Sequence, residues 1–359
     1  MLAISSADTL RRLDPTFLLL GGASAGLLAS RAFAHARKQR RSYEDLPFGG
    51  WPIAPSSDAF VERARGALVG AAVGDALGFF RENLPPAFAK LRFGSKPAHH
   101  AGRIRFMRKP GSISDDTQLT VLVARAIAND GSVSVETFEK SLGEWLPRAI
   151  GAGRATLRAA RALAKGQHAP DPKSLGNGAA MRVAPLAVAF GATPKLLDAV
   201  RTISAVTHEH PEAIAGAELV ALFFSRALLR LDLDMDAIDR AIHETSTKDA
   251  PRWRSTLAAA HASAISTGDL GKTSGLVFDT LAAALHLFTR FPKDPARGLE
   301  LLFTKGGDVD TIAAIYAGLV GAKETLAVFD PALVAPVQGL RILVREADRL
   351  ATARKRNRS

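Results

Sequence analysis

From Asp58 onward, apolar residues recur every three or four positions, the spacing that gathers side chains on one face of an α-helix. One run begins at Leu119 and continues through Ala124, Ala126, Ile127 and Ala128. A longer one extends over residues 199–231, with Ile203, Val206, Ile214, Leu219, Leu222 and Phe223 at helical spacing. Residues 153–165, 276–289, 311–322 and 337–351 repeat the period. Clean period-two alternation is almost absent, and Ala and Leu outnumber the β-branched and aromatic residues that strands favour. The pattern predicts an all-α body. Repeats of solenoid length are not evident, and the interruptions are Gly/Pro/Asp loops of unequal length.

Residues 16–30 (TFLLLGGASAGLLAS) depart from this pattern, being uncharged and mostly apolar between Arg11, Arg12 and Arg31. They are shorter than the roughly 20 residues of a comfortable membrane span. They do fit the apolar region of a signal, and Ala32-Phe33-Ala34 resembles a small-residue cleavage site. A secretory or twin-arginine-like signal, an organellar presequence, a membrane tether and a fortuitous apolar helix all suit the stretch. Without such a signal, the cytoplasm is the expected location. Residues 45–57 are rich in Pro and Gly, as a linker should be. The expected division is an N-terminal segment and linker at 1–57, a folded domain at 58–351, and a basic tail at 352–359.

Charge and composition narrow the chemistry. The 359 residues carry 47 Lys and Arg against 35 Asp and Glu, a formal +12, so a polyanionic partner deserves weight over an acidic-protein-like one. Much of the excess lies in Arg37, Lys38, Arg40 and Arg41 and in Arg354, Lys355, Arg356 and Arg358, which read as solvated tails. Interleaved aromatics, zinc-finger spacing and RNP-type strands do not accompany them, so sequence-specific nucleic-acid recognition is not expected. The absence of Cys excludes disulfides, thiolate metal sites and a cysteine nucleophile. A metal in this chain must sit on oxygen or imidazole.

Two loops share one grammar: glycine, clustered carboxylates with a hydroxyl residue, then an apolar helix. One is Gly111-Ser112-Ile113-Ser114-Asp115-Asp116-Thr117, the other Gly306-Gly307-Asp308-Val309-Asp310-Thr311. N-capping accounts for one acid per helix, since Ser, Thr and Asp are the preferred caps. A second acid adds repulsion unless a cation is shared, and Mg²⁺ or Mn²⁺ takes carboxylate and hydroxyl oxygens. Glycines 66, 70, 74 and 78 fall four apart on one helix face, where they permit close packing; Asp75 and Glu82 are not required by that packing. Residues 174–185 (SLGNGAAMRVAP) offer exposed N–H groups suited to a phosphate. His208-Glu209-His210 is a poor zinc pair, because i, i+2 spacing separates the rings and Pro211 follows. His99-His100, in a basic loop, reads as surface, and Trp145 and Trp253 as core.

In this order and spacing the segments resemble the ADP-ribosylglycohydrolase family. The marks are GDALG-x-x-x-E at 74–82, SDDT at 114–117, GNGA-x-MR-x-AP at 176–185, TH-x-HP at 207–211, SG-x-V-x-DT-x-x-A at 274–283 and GGD-x-DT at 306–311. The resemblance implies a compact all-α hydrolase with two Mg²⁺ ions, Mn²⁺ being an alternative, held by Ser114, Asp115, Asp116, Asp308, Asp310 and Thr311. Catalysis would fall to Glu82 and Asp116. ADP-ribose, free or on a protein, would meet His208 and the turn of Ser174, Gly176 and Asn177. Where the arginine-specific bacterial members begin a segment with Asp, this chain has Gly151, in Gly151-Ala152-Gly153. That Gly-Ala-Gly resembles the serine-linkage hydrolases, in which backbone N–H groups of such glycines approach the diphosphate. A monomer is expected, and a non-catalytic ADP-ribose-binding or structural member is the alternative the resemblance allows.

Overall fold

The computed structural model describes residues 46–100, 108–266 and 268–356; the stretch at 16–30 and the basic cluster after it lie outside the described residues. Among the described residues there are fifteen α-helices and no strand. In chain order they are α1 Ala59–Gly78, α2 Pro86–Phe93, α3 Asp115–Ala126, α4 Val135–Trp145, α5 Arg154–Leu163, α6 Ala184–Phe190, α7 Pro194–Ala205 and α8 Pro211–Leu228. There follow α9 Met235–Glu244, α10 Ala250–Ser266, α11 Val277–Arg290, α12 Pro295–Phe303, α13 Val309–Glu324, α14 Pro331–Val334 and α15 Leu340–Arg356. The all-α expectation holds.

Local chemistry starts these helices. Asp58 accepts from the Phe60 and Val61 N–H groups at the head of α1. Proline occupies the first turn of α2, α6, α7, α8, α12 and α14, where its missing N–H costs no hydrogen bond. The run read as one over 199–231 is two helices. Pro211 begins α8, and residues 206–210 turn between it and α7. This break places His208 at a loop, not on a helix face.

Helix α13 is buried from Val309 to Ala322 and α1 from Ala64 to Gly78, so the two are enclosed on all sides and form the centre. They lie antiparallel with backbones touching. A Cβ built on Gly66, Gly70 or Gly74 would overlap the carbonyl oxygens of Gly321, Ala317 and Ala313, and one on Gly78 would overlap the Asp310 backbone. The glycine stripe is therefore a packing seam, as its spacing predicts, and it also sets where the acids at its end stand. Helices α8 and α11 pack on α13, and α15 packs on α1.

Three expectations about the periphery change. Arg354, read as tail, is buried in α15, with its guanidinium 4.4 Å from the Phe60 ring centre. His99 and His100 are half-buried: His99 Nε2 lies 2.8 Å from the Leu333 carbonyl, and the His100 ring packs 4.9 Å from that of Phe93. The Pro/Gly-rich residues after 45 lie on the body, with Leu46 buried and the Pro47 carbonyl accepting from Gly339 N–H. Trp145 and Trp253 are core, as read.

Candidate functional site

At the acid end of the seam, Asp75 of α1 reaches across to the head of α3. Its carboxylate accepts from Ser114 N–H at 3.0 Å, Thr117 N–H at 3.1 Å and Thr117 Oγ1 at 2.6 Å. Asp75 thus caps α3 from another helix and fixes the Ser114–Thr117 turn. Ser114 Oγ accepts from Asp116 N–H at 3.1 Å and lies 3.0 Å from Asp116 Oδ2. Asp115 N–H donates to the Ile150 carbonyl at 2.7 Å, which ties the turn to the Gly151 loop.

The second loop meets the first. Thr311 Oγ1 lies 3.3 Å from Asp116 Oδ2, and Asp75, Asp116 and Asp310 each bring one carboxylate oxygen within 4.8 Å of the others. A second group of the same span joins Glu82, Asp308 and Asp310. Asp308 is held from outside: its N–H donates to the Thr273 carbonyl, and Asn177 Nδ2 donates to its Oδ2 at 2.7 Å while also donating to Thr280 Oγ1 at 2.8 Å. Gly307 precedes it at φ +80° with its Cα face against the Thr273 carbonyl, a place with room for glycine only. Glu82 leaves α1 past Arg81, whose buried guanidinium donates to the Leu77, Phe93 and Lys96 carbonyls and pins the 83–96 segment to the helix. Glu82 Oε1 accepts from Asn83 Nδ2 at 2.8 Å.

Of the six candidate ligands, Ser114, Asp116, Asp308, Asp310 and Thr311 therefore stand at one place with Glu82 beside them, while Asp115 is near enough to feel Asp75, Glu82 and Asp308 but joins neither group of oxygens. Asp75 belongs to this cluster as well; the signal that marks it is a lone acid in the small, apolar stretch of residues 66–78. The cluster is electrostatically unfavourable by itself. Burial first, then Asp75, Glu82 and Asp308, pushes Asp115 well above the carboxylate range. Burial first, then Asp75, Asp115 and Asp308, does the same to Asp116, and burial with Glu82, Asp308 and Asp116 to Asp310. Burial raises Asp75 too, but only to about 6, because its hydrogen bonds from Ser114 and Thr117 favour the anion. Asp116 Oδ1 and Asp310 Oδ1 are buried with no hydrogen-bond partner. An all-oxygen donor set with two orphaned carboxylate oxygens fits a hard divalent cation.

The remaining candidates line the approach. Gly151, at φ +83°, faces Asp115: a Cβ there would lie 3.1 Å from Asp115 Oδ1. Gly153 caps α5 with open space around it, so nothing steric demands glycine there. Arg154 and Arg158 are exposed on α5, as read. Ser174 Oγ accepts from Gly176 N–H in a tight turn, and Gly176 pairs with Leu276 across a bridge that also carries the Asn177 N–H to the Gly275 carbonyl. His208, buried, stands against this turn: a Cβ on Gly178 would lie 3.1 Å from its Cε1, and one on Gly176 3.7 Å from its Nε2. His210 takes no part there, its Nδ1 accepting from Glu212 N–H at the head of α8. No described helix is long and apolar enough to cross a membrane.

Comparison with known proteins agrees with this geometry. The sequence profile of the ADP-ribosylglycohydrolase family matches residues 56–359. The chain is 27% identical over 324 residues to the uncharacterized protein YegU of Escherichia coli (strain K12), covering 81% of this chain and 96% of that one. It is 29% identical over 270 residues to the ADP-ribosyl-[dinitrogen reductase] glycohydrolase of Rhodospirillum rubrum, covering 73% and 85%. A solved structure described as an ADP-ribosylglycohydrolase-related protein complex superposes with a TM-score of 0.64 at 27% identity, over 82% of this chain and 99% of that one.

Proposed function

The chain belongs to the ADP-ribosylglycohydrolase family, and from that premise we propose that it cleaves the glycosidic bond between ADP-ribose and an acceptor, with divalent cations held by its acid cluster. The observation that carries this reading is the pair of buried, unpartnered oxygens, Asp116 Oδ1 and Asp310 Oδ1, brought together from two helix heads beside the open turn at Ser174–Gly178. Ser114, Asp115, Asp116, Asp308, Asp310 and Thr311 would hold Mg²⁺ or Mn²⁺. When bound, such ions supply positive charge for ribose hydroxyls and for the departing acceptor atom.

The chain's own groups supply the rest. Cleavage at the anomeric carbon passes through an oxocarbenium-like state, so the ribose must be held while water adds and the acceptor leaves with a proton. Glu82 follows α1 on the loop that Arg81 pins, beside the acid cluster, and its carboxylate would accept the proton of the attacking water. Asn177 keeps Asp308 oriented toward the cluster. The turn at 174–178 would receive the adenosine or pyrophosphate side of ADP-ribose, His208 against it would contact the substrate, and the Gly151 loop beside Asp115 would offer backbone N–H groups to the diphosphate. Gly151 in place of an acid favours a linkage other than arginine.

A panel of arginine-linked, serine-linked, nucleic-acid-end-linked and O-acetyl ADP-ribose, incubated with Mg²⁺ or with EDTA, tests the proposal. Metal-dependent release of ADP-ribose from at least one is expected. Binding of ADP-ribose without release from any would leave a non-catalytic binding member instead.

A further inference from the structure

Behind the substrate-side turn, a fully buried cation is directed to one hydroxyl and one carbonyl. Arg182 is wholly buried, carries no carboxylate partner among the described residues, and directs Nη2 to Thr207 Oγ1 at 2.7 Å and to the Ile203 carbonyl at 3.1 Å. The same Oγ1 lies 2.8 Å from His208 Nδ1 and 3.4 Å from the Ser204 carbonyl. A threonine hydroxyl has one proton to give. Since Arg182 is a donor only, it occupies a lone pair of Oγ1, and the hydroxyl proton must go to the short contact or to the long one. The 2.8 Å partner is His208 Nδ1, and the adjacent guanidinium polarises the hydroxyl toward donating. Nδ1 then accepts, which leaves the ring proton on Nε2.

Nε2 has no hydrogen-bond partner among the described residues. It faces Gly176 and Gly178, the two positions where a side chain would close the space before the ring. The charged groups that bear on the imidazole are Arg182 behind it and Asp171 on the segment bridged to His208; burial and Arg182 together hold the ring far below its ordinary pKa, at about 3.

The geometry points to Arg182 and Thr207 as positioning residues that lock His208 in the Nε2–H tautomer, making it a neutral donor aimed at an oxygen acceptor of the substrate in the Gly176–Gly178 gap. This rests on the proposed function only for the identity of that acceptor, a phosphate or ribose oxygen of ADP-ribose. A neutral donor in a fixed tautomer recognises an oxygen without gaining or losing charge, so its contribution does not change between pH 5 and pH 8.

Long-range ¹H–¹⁵N spectra of histidine-labelled full-length protein test it, with His208→Gln assigning the resonances. Ligand-free wild type should show His208 as the Nε2–H tautomer, unchanged from pH 5 to 8; an Nδ1–H tautomer or a titrating ring overturns the lock. Thr207→Val should mix the tautomers and lower ADP-ribose affinity about tenfold, the effect of one misdirected hydrogen bond. Thr207→Ser should restore both. A Thr207→Val protein that keeps the wild-type tautomer overturns the relay, and if that variant does not fold, the wild-type and Thr207→Ser spectra decide alone. Should the tautomer be as expected while ADP-ribose leaves the Nε2 resonance unmoved, the lock stands and the ADP-ribose reading of the site falls.

Discussion

The two ends of the α1–α13 pair are built on one contact and put to opposite uses. At the Gly66–Gly321 end the two backbones meet directly, with Thr325 against Gly66, and the contact is plain packing. At the Gly78–Asp310 end the same separation forces Asp75 and Asp310 together and brings Asp116 to them. Dispersion and apolar burial favour the first arrangement unconditionally. The second is favourable only when charge is neutralised, by protons or by a cation. One rigid seam thus stabilises the fold along its length and holds a repulsive cluster ready for a ligand at its tip.

The largest effects should come from the acid end. Asp310→Ala is expected to abolish turnover and to weaken Mg²⁺ binding by more than about a hundredfold, read by titration calorimetry. In EDTA the same variant should melt higher than wild type, because it removes a buried carboxylate with an orphaned oxygen; in excess Mg²⁺ the order should reverse. A variant that melts lower under both conditions would show the cluster to be ordinary structure. Glu82→Gln should lower kcat by about a hundredfold or more while ADP-ribose still binds, the amide being unable to accept a proton. Near wild-type turnover would remove Glu82 from the role of base.

The packing end gives a purely structural counterpart. Gly70→Leu would drive a side chain into the Ala317 carbonyl, and should cost about 3 kcal/mol of stability in urea unfolding regardless of Mg²⁺. Dependence of that loss on the metal would mean that the two ends are not separable.

Stability against pH separates the ends more gently. Burial raises Asp75 to about 6 and Asp115, Asp116 and Asp310 further above their unfolded values near 4. The folded state therefore binds more protons than the unfolded one above pH 4, and metal-free stability should fall as pH rises from 4 through 6, Asp75 alone accounting for on the order of 2 kcal/mol by pH 7 and the other three acids adding to the loss. Saturating Mg²⁺ should flatten or invert the slope. The smallest contrast lies in the neighbouring loop. Gly153→Ala, in open space, should change stability by less than about 0.5 kcal/mol, whereas Gly151→Ala, at φ +83° beside Asp115, should cost about 1 kcal/mol.

Much of this was legible in the residue pattern. Helical periodicity predicts the all-α body, the four-residue glycine stripe predicts the seam, and two glycine–acid–hydroxyl loops at helix heads predict the acid cluster. What periodicity misses is local. The apolar spacing over 199–231 lapses at the polar residues Thr207-His208-Glu209-His210, and with Pro211 they mark a break that counting the apolar positions on either side passes over. Arg354 looks like tail by charge, yet its long side chain lies on Phe60 and is buried.

By itself the sequence determined the all-α class, the seam and the residue types available for chemistry, since these follow from side-chain period, from the absence of a Cβ and from the absence of Cys. Tertiary structure alone decided that Asp75 belongs to the acid cluster and that Arg182 reaches His208 through Thr207. Both depend on contacts between segments far apart in the chain, 39 residues from Asp75 to Ser114 and 25 from Arg182 to Thr207. No local period encodes which partner a buried polar group will meet; that is settled when the backbones close and each such group must take the nearest donor or acceptor or go without.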